Sequence, residues 1–150
     1  MTVSLGYPDA AAAREMVDRQ MLEHPIIDLQ PVLRPDDVML VQRTVRAVHV
    51  APATVEYAVA LVEATREHPD VALGGSPRAV LAVTRSAQAH ALAAGRDYTL
   101  PDDLKAVAHS VLAHRLMLER RVGPGSAAAR SVVDSVLDAV PIPLGVSEPV

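Results

Sequence analysis

The run Gly74-Gly75-Ser76-Pro77-Arg78-Ala79 places a positive charge where a helix least favours one. Ser76 is a good N-cap and Pro77 suits the first helical position, so a helix is expected to begin here. Arg78 then stands in the first turn, beside unpaired backbone N–H groups and the positive end of the helix dipole. A cation there is unfavourable by roughly 0.3–1 kcal/mol. An anion at the same point is welcomed by dipole, amides and guanidinium together. The chemistry these residues offer is therefore anion binding. The plain alternative is a capped helix whose arginine leans into solvent.

Other chemistry is sparse. The six histidines, His24, His49, His68, His90, His109 and His114, include no i, i+4 pair of the helical zinc type. His109 and His114 are five apart, on diverging helix faces, and no metal site is expected. The acidic pairs Asp36-Asp37 and Asp102-Asp103 each follow a proline, where first-turn carboxylates stabilise the helix dipole. No nucleophile elbow sets a serine for acyl transfer, and no G-x-x-x-x-G-K-[ST] run cradles phosphates. The chain is not expected to be an enzyme on its own.

Composition narrows the scaffold that must carry Arg78. One domain with a real core fits 150 residues. Half of the residues are hydrophobic, yet Tyr7, Tyr57 and Tyr98 are the only aromatics. A core of Ala, Val and Leu suits closely packed helices better than a sheet sandwich. A net charge of −4 with no basic cluster argues against nucleic acid as a partner, and so against a helix-turn-helix DNA binder. The absence of cysteine excludes disulfides and thiolate metal sites, and leans towards a reducing cytoplasm. No apolar run approaches membrane-spanning length, so no membrane insertion is expected.

Apolar spacing and punctuation predict an all-α bundle of about five to six helices, near 9–23, 35–47, 52–67, 77–94, 101–115 and 126–140. Room is left for a very short extended pairing at Val48-His49-Val50. The expected inner faces are Ala13, Met16, Val17 and Met21 in the first helix and Val38, Val41, Val45 and Val48 in the second. Val55, Ala58, Val59 and Val62 form the third face, and Val80, Val83, Ala87, Ala91 and Ala94 the fourth. Leu104, Val107, Ala108, Val111 and Leu112 follow in the fifth, and Ala129, Val132, Val133, Val136, Leu137 and Val140 in the sixth. Proline breaks at His24-Pro25 and His68-Pro69, the Gly95 C-cap and Gly123-Pro124-Gly125 separate the segments. Residues 70–75 read as a loop.

Taken in order, several of these segments resemble the C-terminal part of AAA+ ATPases of the MoxR family. They are Leu5-Gly6-Tyr7-Pro8-Asp9, His24-Pro25 with Leu29 to Leu33, Val48-His49-Val50, and Ala64 to Val71. Gly74 to Ala79, Gly95-Arg96-Asp97-Tyr98, Pro101-Asp102-Asp103, His114-Arg115-Leu116 and Val140-Pro141-Ile142-Pro143 complete the likeness, which covers nearly the whole chain. It implies a single AAA+ lid domain over 1–150. Residues 1–8 would be a remnant of the core-to-lid hinge, 9–143 the bundle and 144–150 a tail.

The resemblance also implies a role for Arg78 as the second sensor, a catalytic lid residue that reaches the γ-phosphate. Ser76 and Pro77 would line the same cofactor site, and Tyr7 and Pro8 would border the adenine pocket. ATP and magnesium would bind in the full-length protein, with neither expected on this fragment, because the phosphate loop, first sensor and arginine finger would belong to an ATPase core. The implied partners are that core, neighbouring subunits of a ring oligomer and a client protein, and the implied location is cytoplasmic. The alternative is a free-standing helical module that binds another protein without nucleotide. Two departures stand out. Gly75 replaces the family's common alanine, from which a looser loop is expected. Leu100, preceded by Thr99, replaces the threonine that usually begins the fifth helix.

Overall fold

The computed structural model describes residues 1–22, 24–119, 123 and 125–143. The expected helix end at Glu23, Pro124 of the glycine break, and the 144–150 tail lie outside them. The chain divides into two compact units, Val3–Val41 and Met1–Thr2 with Gln42–Val150.

The first unit holds α1 (Ala10–Leu22), a 3-10 turn over Pro25–Asp28, and the start of α2 (Pro35–Ala47). Asp9 Oδ1 accepts from the Ala12 N–H, and Asp37 Oδ2 accepts from the Arg34 N–H. These carboxylates satisfy amide groups that a helix start leaves unpaired. None of the described residues of this unit is buried. The apolar stripe expected to face inward on α1 is open, with Met16 52% and Met21 77% exposed, and Val38 and Val41 on α2 are exposed as well. Periodicity marks a face that favours cover; it does not supply the covering surface.

The second unit is built on α3 (Pro52–Glu67), α4 (Pro77–Ala93), α5 (Pro101–Leu112) and α6 (Ala127–Ala139). Every apolar position expected on α5 is buried, and Ala129, Val132, Val133 and Val136 of α6 close on the same core. On α3 the inner face is rotated from expectation. Thr54, Tyr57, Ala58, Leu61, Val62 and Thr65 are buried, while Val55 is exposed. On α4 the buried stripe is Ala79, Val83, Ala87 and Ala91, and Ala94 is outside. Three of those four residues are alanines, which lets α4 approach its neighbours closely.

Two extended features add to the helices. His49 and Tyr98 form an isolated parallel bridge, with the His49 N–H donating to Asp97 O (2.7 Å) and the Thr99 N–H donating to His49 O (2.9 Å). The segment expected to be a loop instead contains β1 (Val71–Leu73), paired antiparallel with β2 (Met117–Leu118). Each strand is too short to show a period of two, and the pairing joins segments more than forty residues apart. The expected fifth helix also ends early, passing into a 3-10 turn at Ala113–Arg115.

Candidate functional site

Arg78 lies in the first turn of α4, with Ser76 at the N-cap position and Pro77 opening the helix. All three residues are exposed. The Ser76 hydroxyl makes no capping hydrogen bond; its carbonyl accepts from the Ala79 N–H at 2.7 Å instead. Pro77 has no N–H, and among the described residues the Arg78 N–H has no hydrogen-bond partner. Among the described residues the guanidinium has neither a hydrogen bond nor an ion pair. Tyr7 and Pro8 lie in the Val3–Val41 unit, where Tyr7 is 99% exposed.

The approach to Arg78 is tightly held, contrary to the loose loop expected from Gly75. The Gly75 N–H donates to Thr65 Oγ1 (2.8 Å), and the Thr65 hydroxyl donates to Val62 O (2.6 Å). Arg66 Nε donates to the Gly75 carbonyl at 2.7 Å. Both polar groups of one peptide residue are thus gripped by adjacent side chains at the end of α3. Gly74 passes so close that a Cβ there would stand 2.7 Å from the Arg66 backbone, and a Cβ on Gly75 would stand 2.9 Å from Val62 Cγ1. Backbone atoms yield less readily than a valine methyl. Gly74→Ala is therefore expected to cost about 2 kcal/mol by overpacking and Gly75→Ala less. Thermal melting of the two variants checks that order, and equal melting temperatures would contradict it.

The other end of α4 is fastened by charge. Gly95 adopts φ +78°, which glycine tolerates, and the Gly95 and Arg96 N–H groups donate to Leu92 O and Ala91 O. This turn delivers Arg96 to Asp103, which is 1% exposed. Arg96 Nη1 and Nη2 donate to the two carboxylate oxygens at 2.8 and 2.6 Å. His90 Nδ1 donates to Oδ1 at 2.7 Å, and the Leu100 N–H donates to Oδ2 at 2.7 Å. Burial alone would raise the Asp103 pKa. The Arg96 fork, the Leu100 N–H and His90 outweigh it and hold the carboxyl down at about 2. Arg96 also lies over the Tyr98 ring, 5.8 Å from its centre.

Asp103 thus does more than offset a dipole. Sequence reasoning missed this hub, although an arginine just past a C-capping glycine and an acid at the third position of the next helix were both visible. Thr99 bonds to His49 O rather than capping α5. Thr65 and Arg66 were likewise unseen as supports, since their partner Gly75 lies ten and nine residues on. Among the described residues no three His, Asp or Glu side chains are grouped to hold a metal ion. No helix of the described residues is long and apolar enough to cross a membrane.

Comparison with known proteins places this arrangement in a family. The profile of the AAA lid domain matches residues 63–136, the stretch that contains Thr65, Gly75, Arg78 and Asp103. The chain is similar to the uncharacterized protein YeaC of Bacillus subtilis, 37% identical over 140 residues, covering 93% of this chain and 44% of YeaC. It is similar to the chaperone MoxR1 of Mycobacterium tuberculosis, 32% identical over 150 residues, covering 94% of this chain and 39% of MoxR1. A crystal structure of a "putative ATPase" from Cytophaga hutchinsonii superposes with a TM-score of 0.78 at 27% identity, over 95% of this chain and 46% of that one. The chain thus spans less than half the length of each of these relatives. Profile, relatives and superposition agree with the all-α architecture and with the order of its segments, and residues 63–136 belong to the AAA lid domain family, in a chain whose relatives are MoxR-like.

Proposed function

We propose that this chain is the lid of a MoxR-type AAA+ ATPase and that Arg78 is its second sensor. The observation that carries the reading is an exposed guanidinium without a partner among the described residues, standing in the first turn of a helix secured at both ends. Its orientation costs the lid a little dipole repulsion and is of use when an anion arrives. Arg78 and its own N–H fit a contact to one terminal phosphate. They do not fit a whole triphosphate with its magnesium, which the rest of the ATPase would hold. ATP supplies the phosphoryl group; Arg78 neutralises charge on it. Because that contact favours ATP over ADP, it biases the lid between orientations and passes the state of the γ-phosphate to neighbouring subunits of a ring.

Ser76 and Pro77 present Arg78, and Tyr7 and Pro8 border the adenine. The open apolar faces of α1 and α2 suit a lid that rests on an ATPase core. The name of MoxR1, a chaperone, supports chaperone-like remodelling of a client protein as the work that hydrolysis drives; the cytoplasm is the proposed location.

The chain alone is expected to bind ATP more weakly than about 1 mM and to show no turnover. One charged hydrogen-bonded contact is worth about 1.5–3 kcal/mol, short of the roughly 4 kcal/mol that millimolar affinity needs. Titration calorimetry on the pure chain checks this. Micromolar binding would reveal a complete nucleotide site within these residues and overturn the lid reading.

A further inference from the structure

We infer that Thr65 and Arg66 are positioning residues for the reaction, acting through Gly75 to aim Arg78. The inference rests on the sensor reading of Arg78 and concerns what holds that arginine in place.

Three observations converge. First, the Ser76 hydroxyl, the usual device for fixing a helix start, caps nothing here. Second, the residue just before it has both backbone polar groups bound by side chains of α3. Thr65 takes the Gly75 N–H and Arg66 takes the Gly75 carbonyl. Third, steric contact reinforces the grip. Thr65 is fully buried, and Gly74 runs against the Arg66 backbone with no room for a methyl group. Arg78 follows Gly75 by three residues, through a proline whose φ is fixed. Little freedom remains between the clamp and the guanidinium except the arginine side chain itself.

The functional demand matches this construction. A group that stabilises transferring phosphate must be held to roughly 0.5 Å and 10–20°, and a misplacement near 1 Å costs about a hundredfold in rate. Thr65 serves by donating to Val62 O while accepting from Gly75, which locks its hydroxyl between the helix and the loop. Serine can make both bonds; valine keeps the shape and can make neither. Arg66 contributes through a single Nε–H, so methionine preserves its stem and removes the bond.

The test uses the complete ATPase that carries this lid, with turnover and the ratio of ATP to ADP affinity as readouts. Thr65→Val and Arg66→Met are each expected to lower turnover by about tenfold and to shrink the ATP preference, with KM for ATP changing less than kcat. Thr65→Ser should restore both. Combining Thr65→Val with Arg78→Ala should lose no more than Arg78→Ala alone, because the clamp acts through that arginine. If Thr65→Val fails to fold, Arg66→Met, altered on an exposed side chain, decides the matter. Normal turnover and ATP preference in the clamp variants, beside a defective Arg78→Ala, would overturn this inference and leave the sensor reading intact. Losses that multiply in the double variant would do the same. An unaffected Arg78→Ala would overturn both.

Discussion

Arg78→Ala is expected to lower ATP turnover of the complete ATPase by about a hundredfold or more while leaving the lid folded. A preorganised donor aimed at developing phosphate charge is commonly worth about 10²–10³ in rate, and an arginine finger more. The same residue contributes little to the fold. It is exposed and has no partner among the described residues, and removing it relieves repulsion from the α4 dipole. The melting temperature should therefore stay level or rise slightly, since surface substitutions of this kind fall within about 0.5 kcal/mol. Arg78→Lys should rescue poorly, because an ammonium carries the charge without the planar fork. Arg85 is the control. It is exposed on the same helix, about two turns further from the N-terminus, and Arg85→Ala should retain turnover. Wild-type turnover in Arg78→Ala, with an unchanged melting temperature, would end the sensor assignment.

The second large effect concerns stability. Asp103→Asn should destabilise the lid by about 3 kcal/mol, because it removes the negative partner of a largely buried guanidinium and weakens the acceptor for His90 and the Leu100 N–H. The melting temperature should fall by roughly 10 °C. The effect carries a pH signature. Asp103 binds its proton less readily in the folded lid than in the unfolded chain, with a pKa of about 2 against an ordinary 3.8. Its contribution is therefore fully present above about pH 4 and is lost as pH falls towards 2. That shift is worth on the order of 2 kcal/mol. Melting curves of wild type and Asp103→Asn should lie far apart at neutral pH and converge between pH 4 and pH 2. A gap that stays constant over that range would show that the carboxylate charge is not what holds Arg96 and His90.

The helices were readable because each carries its own local grammar. Proline and an acid open α2 and α5, glycine closes α4, and the three-and-four spacing on α5 names residues that are all buried, as it does on α6 for all but the half-buried Leu137 and Val140. The first-turn placement of Arg78 was readable for the same reason: a cation there is a local anomaly, visible without knowing what lies nearby. The sequence alone also determined the all-α class, through a core limited to small and branched apolar residues.

Everything that depends on distant partners was decided only by the tertiary structure. The β1–β2 pairing joins segments with no strand pattern of their own. The inner face of α3 turned towards Tyr57, Leu61 and Thr65 because α4 and α6 pack there, whereas its valines alone suggested a face one position away. The stripe on α1 announced a face that favours burial, and no neighbouring surface in its own unit supplies it. Asp103 looked like a dipole acid until the turn at Gly95 brought Arg96 against it, and Thr65 looked like an ordinary helical residue until the loop ten positions on returned to its hydroxyl. Hydrogen-bond capacity is written in residue types, but a partner is fixed only when the chain closes and buried polar groups must be satisfied.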